Sequence, residues 1–197
     1  MSLFVKICGL RDAPDVAASA AAGANAIGFV FAESLRRVTP WQAREASRMC
    51  PAGIMRVAVM RHPSAEEWRY VLDEFGPDAL QTDIEDFADL DIPATVMRWP
   101  VIREGSDVPD IPEVFLYEGR TSGSGETVDW SRAARIAAGR RMILAGGLDA
   151  HNVARAISEV RPWGVDVSSA VESTPGRKDP ELIRRFIGAV RAAERNI

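Results

Sequence analysis

Hydrophobic positions in this chain fall into short unbroken runs, separated by longer stretches in which apolar residues recur every three or four positions. The short runs lie at residues 4–9, 26–32, 55–61, 79–83, 94–101, 114–118, 141–146 and 164–168. Most are continuously apolar and so read as strands covered on both faces. The stretches between them predict amphipathic helices over 12–22, 40–49, 64–75, 129–138, 150–160 and 180–195. Their starts carry helix signals. Thr39 stands before Pro40, a capping residue followed by a proline in the first turn. Ser64 is followed by Glu67 at the spacing of a capping box. Two connections are weaker: residues 85–91 give a short helix at best, and residues 103–112, rich in Gly, Pro and Asp, read as a loop replacing most of a fifth helix.

Eight strands, each followed by a helix or its remnant, within 197 residues leave two architectures. One is an eight-stranded parallel barrel near its minimum size, the other an open doubly wound sheet. Glycines at the strand ends favour the barrel, which gathers those ends into one mouth. The expected fold is therefore α/β, a single (β/α)8 TIM barrel spanning 1–197 as one domain, with helix five reduced to a loop. Composition agrees with an ordinary globular domain, at 47% hydrophobic and 26% charged residues, and the net charge of −4 argues against a general nucleic-acid binder. No apolar run approaches the roughly 20 residues of a membrane helix, and the start does not read as a leader segment. Two cysteines cannot build a disulfide framework and fit a reducing, cytoplasmic setting; with only two histidines, no metal site is expected.

Chemistry concentrates at the predicted strand ends. Val5-Lys6-Ile7-Cys8-Gly9-Leu10 is an apolar run ending in a cysteine and a turn-forming glycine. A thiol there is a candidate base or nucleophile, although free Cys is more often simply buried. Lys6 shares the face of Cys8 and is either a helper cation or barrel filling. Strand seven runs into Gly146-Gly147, and strand eight into Ser168-Ser169. Paired glycines and serines at neighbouring strand ends suit a phosphate, whose usual place in barrels is after strands seven and eight. Glu118 closes strand six beside the glycine-rich 119–125 and is a candidate proton donor, against the commoner reading of a solvated end charge. Arg36 or Arg37, after strand two, can clamp a carboxylate.

Together these stretches resemble the phosphoribosylanthranilate isomerases of tryptophan biosynthesis. The resemblance rests on Lys6-Ile7-Cys8-Gly9-Leu10, residues 23–32, Ser34-Leu35-Arg36-Arg37-Val38, Gly123-Ser124-Gly125 with Asp129-Trp130, Leu144-Ala145-Gly146-Gly147-Leu148 with Asn152-Val153, and residues 164–169 with Glu172, Pro175-Gly176 and Lys178-Asp179. It implies a (β/α)8 barrel catalysing an Amadori rearrangement, in which an aminoaldose phosphate becomes an aminoketose phosphate. It implies Cys8 as general base, Glu118 as general acid, and Arg36 as holder of the anthranilate carboxylate. It further implies that Gln81 and Asp166 lie near the substrate and that Gly146, Gly147, Ser168 and Ser169 bind the phosphate. No cofactor is required. The expected partner is a small phosphorylated molecule, not nucleic acid or membrane, and the chain is expected to be a monomer or homodimer. Three departures stand out. Glu118 occupies a position where the family has Asp. The family's Gln-Leu-His-Gly at the end of strand four is Gln81-Thr82-Asp83-Ile84, keeping only the Gln. Ala170 replaces a Gly after the paired serines. These changes motivate two other readings, a diverged non-catalytic phospholigand-binding barrel and an isomerase for another aminoaldose phosphate.

Overall fold

A computed structural model describes residues 2–108, 110–120 and 127–195. Eight parallel strands, β1 (Phe4–Cys8), β2 (Ala26–Val30), β3 (Met55–Val59), β4 (Ala79–Asp83), β5 (Met97–Arg103), β6 (Val114–Glu118), β7 (Arg141–Leu144) and β8 (Gly164–Val167), pair in sequence order and close into a barrel between β8 and β1. The helices are α1 (Ala13–Ala22), α2 (Pro40–Ala46), α3 (Ala65–Phe75), α4 (Trp130–Ala137), α5 (Val153–Val160) and α6 (Pro180–Glu194). The barrel, not the open sheet, is the fold.

The capping chemistry works as the sequence predicts. Thr39 and Gln42 form a reciprocal box at the start of α2, and Ser64 and Glu67 do so at α3. Residues 84–88 form only a 3₁₀ turn, and the described residues between β5 and β6 hold no helix. One expectation needs correction: strand five starts at Met97, not residue 94, and continues through Arg103, which was expected to open the loop. The run Arg103-Glu104-Gly105 looks like a loop start, but Trp99, Val101 and Arg103 keep the period of a strand. An added feature is a small hairpin, β9 (Glu172–Thr174) with β10 (Arg177–Lys178), between β8 and α6.

Strand alternation sorts the apolar residues into two cores. The larger lies between barrel and helices and includes Ile7, Phe29, Phe115 and Phe186. The smaller fills the barrel and contains Ala26, Val57, Ala79, Trp99, Val101, Leu116 and Ile143. At the N-terminal end of the strands Phe4 stacks on Trp163, with centroids 4.6 Å apart, and meets Trp99 edge-on at 5.6 Å. Following the same alternation upward, Lys6, Cys8, Gly28, Gln81, Asp83, Arg103, Glu118 and Asp166 belong to the inner face.

Candidate active site

The inner face of β1 carries a buried polar cluster. Lys6 is fully buried, and its Nζ donates to Asp166 Oδ1 at 2.9 Å across the β1–β8 seam, where the two residues are register partners. Cys8 pairs in register with Gly28. A Cβ at position 28 would stand 3.1 Å from Cys8 Sγ and 3.2 Å from Lys6 Nζ, so the missing side chain is what leaves room for thiol and ammonium together. Burial works against the Lys6 charge, but Asp166 and Cys8 beside it hold the ammonium above its ordinary range. Burial pushes the Cys8 thiol up; Lys6, and Lys178 more weakly, pull it down, while Asp166 adds to the rise. The resting sulfur thus carries its proton at neutral pH, with a cation next to it that favours the thiolate.

A second group of charges ties the loops after β2 and β8 to this centre. Arg36 donates from Nε and Nη2 to Glu172 Oε1 and Oε2 at 2.7 and 2.9 Å, a two-toothed pair. Lys178, fully buried, donates to Glu172 Oε1 at 2.8 Å and to the Ser168 carbonyl at 2.9 Å. Burial opposes the Glu172 charge, but Arg36, Lys178 and the Gly176 N–H outweigh it and hold the carboxyl at about 2. Gly9, at φ +79°, lets the chain turn beneath Arg36; a Cβ there would come within 2.6 Å of Arg36 Cδ.

Glu118 ends β6 on the same inner face and accepts from Arg103 Nη1 at 2.7 Å. Arg103 Nη2 lies 2.7 Å from Asp83 at the end of β4, and Asp83 also lies 3.4 Å from His62 Nε2. Gln81, two residues before Asp83, is buried, and its Oε1 has no partner among the described residues. After β7, Gly146 and Gly147 take φ values of 90° and 58°, and Asn152 donates to the Gly147 carbonyl at 2.8 Å. Ser168 donates its hydroxyl to the Cys8 carbonyl at 3.0 Å, and exposed Ser169 starts a 3₁₀ turn (Ser169–Val171). The stretch Gly123-Ser124-Gly125 lies outside the described residues.

The sequence-predicted residues therefore all sit at the C-terminal ends of barrel strands or in the loops that follow them. Arg36 has a carboxylate partner already, in Glu172. Sequence reasoning gave no role to Arg103, whose signal was the strand period, nor to Lys178 and Glu172, which helped carry the resemblance but whose contacts no spacing rule reveals.

A closed parallel barrel that gathers a thiol, a carboxyl, a guanidinium and paired glycine and serine turns at one end defines a barrel enzyme for a small anionic substrate. The family model described as N-(5'-phosphoribosyl)anthranilate (PRA) isomerase matches residues 5–189. The chain belongs to that family. It is 37% identical over 206 residues to the N-(5'-phosphoribosyl)anthranilate isomerase of Listeria monocytogenes, covering 98% of this chain and 100% of the relative. Among solved structures it is similar to the Thermus thermophilus phosphoribosyl anthranilate isomerase, with a TM-score of 0.84, 30% identity, and coverage of 96% of this chain and 99% of that one. A phosphoribosyl anthranilate isomerase in complex with reduced 1-(o-carboxyphenylamino)-1-deoxyribulose 5-phosphate matches at a TM-score of 0.80 and 30% identity, with coverage of 96% and 99%.

Proposed function

We propose that Cys8 and Glu118 are the base and acid with which this chain converts N-(5'-phosphoribosyl)anthranilate into 1-(2-carboxyphenylamino)-1-deoxyribulose 5-phosphate, an aldose–ketose isomerisation of tryptophan biosynthesis. The observation that carries the assignment is the placement of both groups on the inner face, at the C-terminal ends of β1 and β6. Acting as the acid, Glu118 gives a proton to the ribose ring oxygen as the C1′–O bond breaks. The anthranilate nitrogen lone pair forms the C1′=N bond. Cys8 thiolate then takes the C2′ proton, and the C–H electrons become the C1′=C2′ bond and neutralise the iminium. The resulting enolamine tautomerises to the ketone. No cofactor enters this scheme.

The remaining residues divide the substrate between them. Arg36 has five N–H groups, of which Glu172 uses two, leaving donors for the anthranilate carboxylate. The unpaired Gln81 Oε1 suits a ribose hydroxyl, because a buried acceptor without a donor is costly unless the ligand supplies one. Asp166 holds Lys6, and Lys6 favours the thiolate. The N–H groups of the Gly146-Gly147 turn and of Ser168-Ser169 grip the phosphate. The site draws on one chain, which suits a monomer or homodimer acting on a small phosphorylated molecule. Among the described residues no helix is long and apolar enough to cross a membrane, and a phosphorylated sugar substrate suits the cytoplasm.

Replacing Cys8 with Ala tests the assignment. Loss of anthranilate fluorescence during turnover should fall by at least about 1,000-fold, in the range expected when a general base is removed, while the affinity for a reduced product analogue stays within about threefold. Full turnover by C8A would remove Cys8 from the mechanism.

A further inference from the structure

Three inner-face side chains at the ends of adjacent strands form a line of alternating charge: Asp83 on β4, Arg103 on β5 and Glu118 on β6. Arg103 and Glu118 are register partners, so their Cβ atoms leave neighbouring strands on the same side. One guanidinium bridges both acids, with Nη1 2.7 Å from Glu118 Oε1 and Nη2 2.7 Å from Asp83 Oδ1. The two nitrogens of the arginine fork reach both carboxylates at once, Nη1 by a hydrogen bond to Glu118 and Nη2 by charge pairing with Asp83; a lysine ammonium offers a single point charge. All three side chains are mostly shielded from solvent, so the pairing is screened little by salt.

We infer that Arg103 and Asp83 are positioning residues for Glu118: Arg103 fixes the direction of the Glu118 carboxyl, and Asp83 fixes Arg103. The inference rests on the reading of Glu118 as the acid. Glutamate has one more rotatable bond than aspartate and so needs a clamp to present its carboxyl from a defined place. Asp83 is otherwise hard to account for. It is a buried carboxyl at the mouth of a barrel that must receive a multiply charged anion, and such a charge repels the substrate unless a cation neutralises it. Arg103 does so, and Arg61 at 3.8 Å and His62 at 3.4 Å lie on its other side. Two of the positions at which the sequence departs from the family pattern, 83 and 118, thus meet through one arginine. They form a single unit, in which neither acid is placed correctly without the other two members.

A double-mutant cycle on the full chain tests this, with turnover followed by loss of anthranilate fluorescence. R103M should lower kcat about 100-fold, the effect of an ångström-scale misplacement of a reacting group, with KM within about threefold. D83N should lower kcat roughly tenfold by the same cause. In the E118Q background, itself strongly impaired, neither change should lower kcat further, because a residue that acts only through Glu118 has nothing left to position. In the R103M background D83N should likewise have no effect. If R103M does not accumulate as a folded barrel by circular dichroism, D83N paired with E118Q carries the same cycle. Equal losses in the parent and in E118Q would overturn the inference and leave Glu118 as the acid, as would parental kinetics for R103M or a rise in KM with kcat unchanged. Parental turnover by E118Q would overturn the acid assignment, and this inference with it.

Discussion

Lys6 sets the terms on which Cys8 can take a proton. The thiol is pushed up by burial, and among the charges around it the Lys6 ammonium has the largest effect, greater than that of Asp166. Removing Lys6 and Asp166 together, as the Lys6→Met, Asp166→Asn double variant, keeps the interior neutral and avoids leaving one buried charge alone, which typically costs 3–5 kcal/mol. The net effect on Cys8 is a further rise, because the larger, favourable influence is lost. The thiolate fraction at a fixed pH then falls tenfold for each unit of rise. The rate should climb with pH in parent and variant alike, with the variant's limb displaced to higher pH; thiolate absorbance and alkylation rates across pH measure the shift directly. Cys8 was legible in the sequence because a strand that stops at Cys-Gly is a local signal. The role of Lys6 was only half legible: period two put it on the right face, but its partner Asp166 lies 160 positions away.

The hairpin β9–β10 shows what an element can do that its residues do not announce. Its single acid, Glu172, gathers Arg36 from the loop after β2, Lys178 from its own second strand and the Gly176 N–H. Loop, hairpin and barrel mouth are thereby tied at one carboxylate. Because Glu172 titrates at about 2 in the folded chain and at 4.5 ordinarily, the stabilisation is complete above pH 4.5 and is lost as pH falls towards 2. The melting temperature of Glu172→Gln should therefore lie below that of the parent at pH 6, and the gap should close over that acid window. In the sequence Pro175-Gly176 entered only through the family resemblance, and the two- and three-residue strands flanking it are too short to leave a periodic signature. Strand five was misplaced for a related reason. Arg103 and Glu104 look like the beginning of a polar loop, and only pairing with β6 shows that Arg103 still belongs to the sheet.

At the scale of the molecule, the ring of helices is incomplete among the described residues. Between α3 and α4 the barrel is covered by the 3₁₀ turn Ile84–Ala88 and by the irregular segment after β5, from which half-buried Val108 and Ile111 reach the outer core. Backbone amides on this arc, in residues 84–88, 104–108 and 110–113, should exchange with solvent at least about tenfold faster than those of β1, β2 and β8, since few buried contacts guard them; hydrogen-exchange mass spectrometry at neutral pH checks this. The barrel itself was legible from eight apolar runs of similar length, which leave little other choice in under 200 residues. The gap in the ring was legible too, from the Gly, Pro and Asp content of the fifth connection.

The aromatic stack of Phe4, Trp99 and Trp163 has a consequence for traffic. Together with the apolar side chains that fill the interior it closes the far end of the cylinder, so the inner-face groups at the strands' C-terminal ends are reached from that end. Reactant and ketose must pass through the same opening in turn, and each occupied site shuts out the other species until it empties.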